Sequence, residues 1–403
     1  MVTEHERLET AWQEFCAVAT KEAAFGNDND GARLFPEYSE DGRWVRTPVD
    51  RLSRIVGDDY DHGNWSPGFW FGTRWLSGHL GGAGIDAEAV RIRWPGLVER
   101  AEDHTTHDLG FIFYPSVVLG QALGLVDQDG LEVGVRAADQ LGRRFNPHGD
   151  YLQAFGPIGH PKTAGTSTMD TMMNLPLLWW AGAVPGKENL LLVAKRHARA
   201  TARAFFRPDG STYHLIRYDP TAGSVRWRGT FQGSGDASCW SRGQAWAVAG
   251  FAWAGLATGE TEFLETAEWA ATYFLDKLEP DRLPPWDFGE KGSDVVPDAS
   301  AAAIVALGLL ILEATASGHQ AVEHHRAGVD LLERCHRHAQ NSGGESEGVL
   351  PLSCYSLPHG KGVWGATAWG DFYYGLALAL ATGRLAVEDL DVRAPVGLTE
   401  TTR

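Results

Sequence analysis

Apolar residues recur along this chain at helical spacing, and they do so in two alternating styles. Residues 3 to 24 read as an amphipathic helix, with Leu8, Trp12, Phe15 and Val18 returning every three to four positions among acids and other polar residues. Segments 86 to 103, 131 to 145, 188 to 206, 261 to 277 and 320 to 339 follow the same plan. Each is charged on one face and rich in Leu, Val or Ala on the other, as Leu264, Ala267, Ala271 and Phe274 illustrate. The stretches that begin near Trp65, Asp108, Asp170, Trp240, Asp298 and Asp371 differ: each opens on a polar or charged residue and continues in small and aromatic residues on every side. These markers are 43, 62, 70, 58 and 73 residues apart, enough each time for one further helix and its loops. A helix that is apolar all round is a buried helix. The alternation therefore predicts six inner helices wrapped by six outer ones, an all-α (α/α)6 barrel formed by residues 1–403 as a single domain.

Two segments interrupt the pattern. Residues 26 to 63 are acidic and glycine-containing and read as a long irregular arm. Residues 211 to 231 alternate on either side of Asp219 to Gly223, which predicts a small β-hairpin at the barrel mouth. The stretch from Met169 to Trp180 needs separate treatment, since it holds three of the four methionines and a proline. Proline is tolerated in the first turn of a helix and costs about 3 kcal/mol further in. The helix carrying Pro176 should thus begin near residues 172 to 175, with Asp170 ahead of it. A simple N-cap stands directly at its helix start, and Asp170 does not.

Composition narrows the partners. A formal charge of −17 argues against nucleic acid or an anionic membrane, both of which need a basic face. With 16 tryptophans and 17 phenylalanines the chain is well supplied with flat rings of the kind that stack on sugars. Cys16, Cys239, Cys335 and Cys354 show no paired spacing, the amino terminus has no apolar leader, and no run of 18 apolar residues occurs, so a cytoplasmic protein is expected. An anionic ligand would need a local basic pocket. Residues 211 to 242 offer Arg217, Arg226, Arg228 and Arg242 against Asp219 and Asp236, and Arg242 begins an inner helix.

If the inner-helix starts meet at one end of the ring, Asp108, Asp170, Asp298 and Asp371 converge. Helix capping accounts for Asp298 and Asp371. His107 beside Asp108, and the offset of Asp170, single out the other two. Paired carboxylates in an aromatic cavity push one pKa upward and make a general acid available near neutrality. His214 on the hairpin is placed as a relay or a packed strand residue. His104 with His107 and Asp108, or Asp58, Asp59 and Asp61, are metal-ligating residue types without a standard metal spacing. No phosphate-binding glycine loop or serine-hydrolase elbow is present.

Six ordered motifs between about residues 60 and 380 resemble those of the unsaturated glucuronyl hydrolases, glycoside hydrolase family 88. They are His107-Asp108-Leu109-Gly110-Phe111, Met169-Asp170-Thr171-Met172-Met173-Asn174-Leu175-Pro176, Gly210-Ser211-Thr212-Tyr213-His214, Cys239-Trp240-Ser241-Arg242-Gly243-Gln244, Pro285-Trp286-Asp287-Phe288 and Gly370-Asp371-Phe372-Tyr373. The resemblance implies a glycoside hydrolase that takes an unsaturated uronate-containing oligosaccharide, the product of a polysaccharide lyase, and removes its 4,5-unsaturated uronic acid by hydrating the C4=C5 bond. It implies Asp170 as the catalytic acid and water activator and Asp108 as the supporting carboxylate. Trp65, His107, His214, Gln232, Trp240 and Arg242 would hold the uronate, with Arg242 near its carboxylate, and no metal or cofactor is implied. Phe231 and Phe155 depart from the family pattern, which often has a histidine and an indole there, both toward the leaving sugar. An unsaturated rhamnogalacturonyl hydrolase, a sugar epimerase or isomerase on the same toroid, and a noncatalytic sugar-binding protein are the competing readings.

Overall fold

The computed structural model describes all residues except 1, 23–32, 57–58, 293, 344, 392, 394, 396–397 and 399–403. Twelve helical rods stand out among the described residues. Those of the outer ring are α1 (Glu4–Glu22), α3 (Ala87–Glu99), α5 (Gln128–Arg143), α7 (Asn189–Phe205), α9 (Thr261–Asp276) and α11 (Gly318–Gln340). The inner ring is α2 (Pro67–Arg74, continued by Trp75–Leu80), α4 (Leu109–Phe113, continued by Tyr114–Val118 and Leu119–Ala122), α6 (Leu175–Ala181), α8 (Ser241–Thr258), α10 (Ala299–Thr315) and α12 (Ala368–Ala381). Each inner helix packs on the next and α12 returns to α2, so the ring closes as an (α/α)6 barrel. No helix among the described residues is long and apolar enough to cross a membrane.

Burial follows the sequence pattern. In α10 every residue from Ala299 to Leu312 is buried, whereas α11 buries one stripe that includes His324, Val329, Leu331, Leu332 and Cys335. Alanine and glycine dominate α8 and α10 because neighbouring inner backbones approach closely: a Cβ on Gly308 would lie 3.0 Å from the backbone of Ala249. Pro115 removes a helical hydrogen bond inside α4, and the ladder there widens to a π-turn over Tyr114–Val118. As expected, Pro176 falls in the first turn of α6, which a 3₁₀ segment at Met169–Asn174 precedes.

The arm and the strands differ from expectation. Of the arm expected over residues 26 to 63, residues 26–32 and 57–58 lie outside the described residues, and the rest is not irregular: β1 (Leu34–Glu40) pairs with β2 (Arg43–Pro48), and β3 (Arg54–Val56) pairs with β4 (Asp59–Asp61). The first turn is Asp41-Gly42, both at positive φ, a frequent hairpin signal that a helical reading passes over. The expected hairpin, β8 (Leu215–Tyr218) with β9 (Val225–Gly229), is present and gains a third strand, β7 (Thr166–Thr168), just ahead of Asp170. Short strands β5 (Phe145–Asn146) and β6 (Tyr151–Leu152) pair with each other, and a further hairpin joins β10 (Ser353–Ser356) to β11 (Lys361–Gly365). Strand content is therefore small but concentrated, with several hairpins around one end of the barrel.

α1 completes the outer ring and holds the last inner helix in place. Phe15 packs so tightly on α12 that a Cβ on Gly375 would come within 2.2 Å of its ring. Arg384, just past α12, makes a bidentate pair with Glu9 at 2.7 and 2.8 Å and lies 4.9 Å over the Trp12 ring. Bidentate guanidinium pairs on partly buried rings are the stronger kind of surface ion pair. Arg384→Ala should lower unfolding free energy by about 1–2 kcal/mol in denaturant titration, and an unchanged midpoint would mean that this ion pair adds nothing to ring closure.

Candidate active site

At the hairpin end a cavity of about 340 Å³ opens, lined by Trp65, His107, Asp108, Asp170, His214 and Gln232 among others. Asp108 precedes α4 without capping it. Its carboxylate accepts from Thr106 Oγ1 at 2.6 Å and stands 3.2 Å from His107 Nε2. Asp170 lies in the 3₁₀ turn before α6, also uncapping, with Oδ2 3.4 Å from His214 Nε2. The two helix starts are bound to each other by Asn174, whose side chain accepts from Phe111 N at 2.8 Å and donates to the Asp170 carbonyl at 3.3 Å. Gly110 makes that approach possible, since a Cβ there would sit 2.2 Å from Asn174 Cα.

The histidines fix the polarity. His214 Nδ1 accepts from the backbone N–H groups of Phe231 and Gln232 at 3.2 and 3.3 Å, which leaves the proton on Nε2, facing Asp170. His107 spans the pair: Nδ1 is 2.8 Å from Thr171 Oγ1 and Nε2 faces Asp108. Burial pushes His107 down to about 3, so the imidazole is neutral. Burial pushes Asp108 up to about 6, with the Thr106 hydroxyl opposing the rise. Burial acts on Asp170 as well, but the hydrogen bond and charge of His214, together with His107, outweigh it and hold the carboxyl below its ordinary value. Near neutrality the site therefore keeps Asp170 ionised while Asp108 is poised to carry a proton.

The remaining expected residues divide. Trp65 lines the cavity, stacked 4.5 Å on Trp369, with its indole N–H donating to Tyr355 Oη at 3.1 Å. Gln232 lines it too and donates to the Tyr355 carbonyl at 2.9 Å. Trp240 is one layer back, 4.3 Å behind the His214 ring. Arg242 is not at the cavity surface: it is buried, paired with Asp298 at 2.6 Å, and donates to the carbonyls of Cys354 and Tyr355. Nor do the hairpin arginines line the cavity. Arg226 pairs with Asp219 and Arg228 donates to the Ala204 carbonyl, while Arg217 lies over Trp227. The cations at the cavity rim are Arg51, Arg54 and Lys361, from the arm and the last hairpin. Local charge in sequence did not single out the cavity-lining cations because it carries no information about which carboxylates the arginines meet in the fold.

Asp298 caps α10 by accepting from Ser300 N at 3.1 Å, as expected. Asp371 instead accepts from Val349 N and Leu350 N at 2.7 and 2.9 Å, pinning the loop before β10. Among the described residues no group of His, Cys, Asp or Glu is arranged to hold a metal ion, and Asp58 lies outside them. Tyr60, His62, Tyr355 and His359 also line the cavity. Sequence reasoning passed over them because they sit on hairpins it did not see.

No family model matches the chain. An unsaturated glucuronyl hydrolase of Bacillus sp. (strain GL1) is 34% identical over 323 residues, 78% of this chain and 85% of that protein. An unsaturated chondroitin disaccharide hydrolase of Streptococcus pyogenes serotype M1 is 31% identical over 322 residues, 78% of this chain and 80% of that protein. The solved structure of the unsaturated glucuronyl hydrolase from Bacillus sp. GL1 superposes with a TM-score of 0.81 at 30% identity, covering 93% of this chain and 96% of that one. Removing one partner of a buried ion pair costs about 3–5 kcal/mol, so Arg242→Gln should show a loss of that size in chemical unfolding. A variant that kept its stability and lost only substrate affinity would return Arg242 to the role of anion binder.

Proposed function

The chain belongs to the unsaturated glucuronyl hydrolases, and we propose that it removes a 4,5-unsaturated uronic acid from the non-reducing end of lyase-generated oligosaccharides, as one catalytic domain over residues 1–403 in the cytoplasm. The observation that carries this reading is the pair of buried carboxyls with opposed tendencies, Asp108 raised to about 6 and Asp170 lowered, in an aromatic cavity. Adding water across an enol ether needs an acid for one carbon and a base for the water. A binding protein needs neither. An epimerase working through paired histidines is disfavoured because His107 and His214 are engaged by Thr171, Asp108 and backbone N–H groups.

In this reading Asp170 protonates C4, and the ring oxygen stabilises the cation that develops at C5. Water then adds to C5 and returns a proton to Asp170. The C5 hemiketal opens by breaking its bond to the ring oxygen, which leaves a ketone at C5 and a hemiacetal at C1. Collapse of that hemiacetal expels the leaving sugar with its own glycosidic oxygen. The free site holds Asp170 ionised, so its proton must be loaded. An incoming uronate carboxylate adds a negative charge that raises the pKa of Asp170, and Asp108, which stands against His107 in the same cavity, is the neighbouring proton source. Trp65 and Gln232 hold the uronate, while Trp240 backs His214. The separation of the carboxyls does not foretell retention or inversion, because the attack is not at the anomeric carbon.

Lyase-generated disaccharides should lose the ultraviolet absorbance of their conjugated uronate when mixed with the enzyme, and Asp170→Asn should abolish that loss while still binding substrate. In heavy-oxygen water a single turnover should label the keto fragment and not the released sugar. No decay on chondroitin-, heparin-, hyaluronan-, pectin- or ulvan-derived substrates would overturn the assignment.

The protonation states give a second prediction. With Asp108 at about 6, the proton available to the pair is lost as pH rises through that value, so kcat/KM should fall on the alkaline side of pH about 6. In Asp108→Asn only Asp170 can load, and its lowered carboxyl moves the decline to lower pH. A limb unmoved by this substitution would place the essential proton on another group.

A further inference from the structure

The β10–β11 hairpin separates two cavities. Tyr355, Ser356 and Lys361 line the one that holds the two aspartates, whereas Leu352 and Trp364 line a second, of about 520 Å³, between the end of α9 and the start of α10. Trp364 is the extra residue of a β-bulge: Cys354 pairs with Val363 and Ser353 with Gly365, which leaves Trp364 between them without a partner on β10. Its φ is 61°, in the left-handed region. The other non-glycine residues found there among the described residues are Asp41, Asp150 and Asp281, and aspartate is a residue type that tolerates it. Tryptophan does not, and glycine is the usual occupant of such a bulge position. Burial does not offset the strain. Trp364 is 52% exposed, and among the described residues its ring meets no other aromatic ring and its indole N–H has no acceptor.

What the bulge does is turn a flat, half-exposed indole into the wall of the second cavity. Much of the remaining lining is apolar and held by backbone pairing. Pro285 and Pro297 face each other in a β-bridge, Trp286 N–H donates to the Val296 carbonyl at 2.8 Å, and Phe288 and Leu352 add side chains. The charged groups are balanced, with Asp276, Glu279 and Glu290 against Lys277, Arg282 and Lys291. A cavity of several hundred cubic ångströms with apolar walls, a few polar groups and an aromatic plate has the character of a small-molecule site. The plate suits the apolar face of a pyranose, and the polar groups are left to meet its hydroxyls. Equal numbers of acids and bases give no net attraction to a polyanionic chain. Backbone strain is characteristic of positions that clamp a ligand. We propose that this cavity is a second saccharide site, separate from the one that holds Asp108 and Asp170, and that it takes an uncharged pyranose unit stacked on Trp364.

Titration of the full chain with cellotriose, chitotriose and β-1,4-galactotriose, followed by saturation-transfer NMR on the sugars, should show saturable binding of at least one, and weaker binding of its sulfated form. Trp364→Gly should weaken that binding by about tenfold or more. Because glycine accepts the left-handed φ, the same variant should hold or raise the denaturant midpoint, which loss of a structurally packed tryptophan would lower. Trp364→Tyr keeps an aromatic plate and should retain most of the affinity. Trp364→Asn, also at ease at positive φ, serves in place of the glycine variant if that one fails to fold. No saturable binding of any of the three sugars, binding unaltered in Trp364→Gly, tighter binding of the sulfated form, or a lowered midpoint overturns the proposal. So does a dimer that forms in the wild type and not in Trp364→Gly, which would make the indole a contact between copies of this chain. The assay needs no turnover, so its outcome is decided apart from the hydrolase reading.

Discussion

A guanidinium shut away from water holds the mouth of this barrel together. Arg242 and Asp298 are both buried, and removing two such charges from solvent is costly unless every donor is met. Here they are met by each other, by the carbonyls of Cys354 and Tyr355, and by the indole faces of Trp240 and Trp369 at 4.5 and 5.2 Å. The consequences reach the cavity through one residue. The Tyr355 carbonyl that Arg242 engages also accepts from Gln232, and the Tyr355 hydroxyl accepts from Trp65. Two residues that face the cavity are thus positioned by a charge that does not line it.

The acid pair shows the opposite treatment of buried charge. Asp108 receives a threonine hydroxyl and a neutral imidazole, too little to offset burial, and its proton becomes hard to lose. Asp170 has Oδ2 3.4 Å from His214 Nε2, and the orientation of that ring is set by two backbone donors on the far side. Two aspartates on similar helix starts acquire different proton affinities from what stands behind the histidine beside each. Gly110 keeps them in one cavity by letting α4 approach the Asp170 turn.

Much of this was legible from periodicity. The inner and outer helices fall where the two styles of apolar spacing place them, because burial on all sides leaves a compositional trace that needs no knowledge of contacts. Asp108 and Asp170 stood out for the same reason: neither fits the cap that its position suggests. What was not legible depends on long-range pairing. In sequence Arg242 reads as an anion site, and its partner Asp298, 56 residues away, is visible only in the fold. The arm reads as irregular in sequence although Asp41-Gly42 marks a hairpin turn, because short strands with an internal proline show weak alternation. Tyr60 and His62 were lost with it. Tyr355 carries no local signal, since its importance lies in what its carbonyl and hydroxyl bind.

The hairpins around the mouth contribute little to the helical core, yet they supply Tyr60, His62, His359 and Lys361 to the cavity wall. The helix starts and the 3₁₀ turn supply Asp108 and Asp170. The wall of the cavity is thus drawn from parts of the chain with different mutational tolerance. A substitution on a hairpin can reshape the cavity wall without disturbing inner-ring packing, whereas a change of volume at the apolar positions of an inner helix is felt by its neighbours on both sides. Such a partition makes the scaffold evolvable: short turns can be rewritten at the mouth while the inner ring that holds the two aspartates is inherited intact.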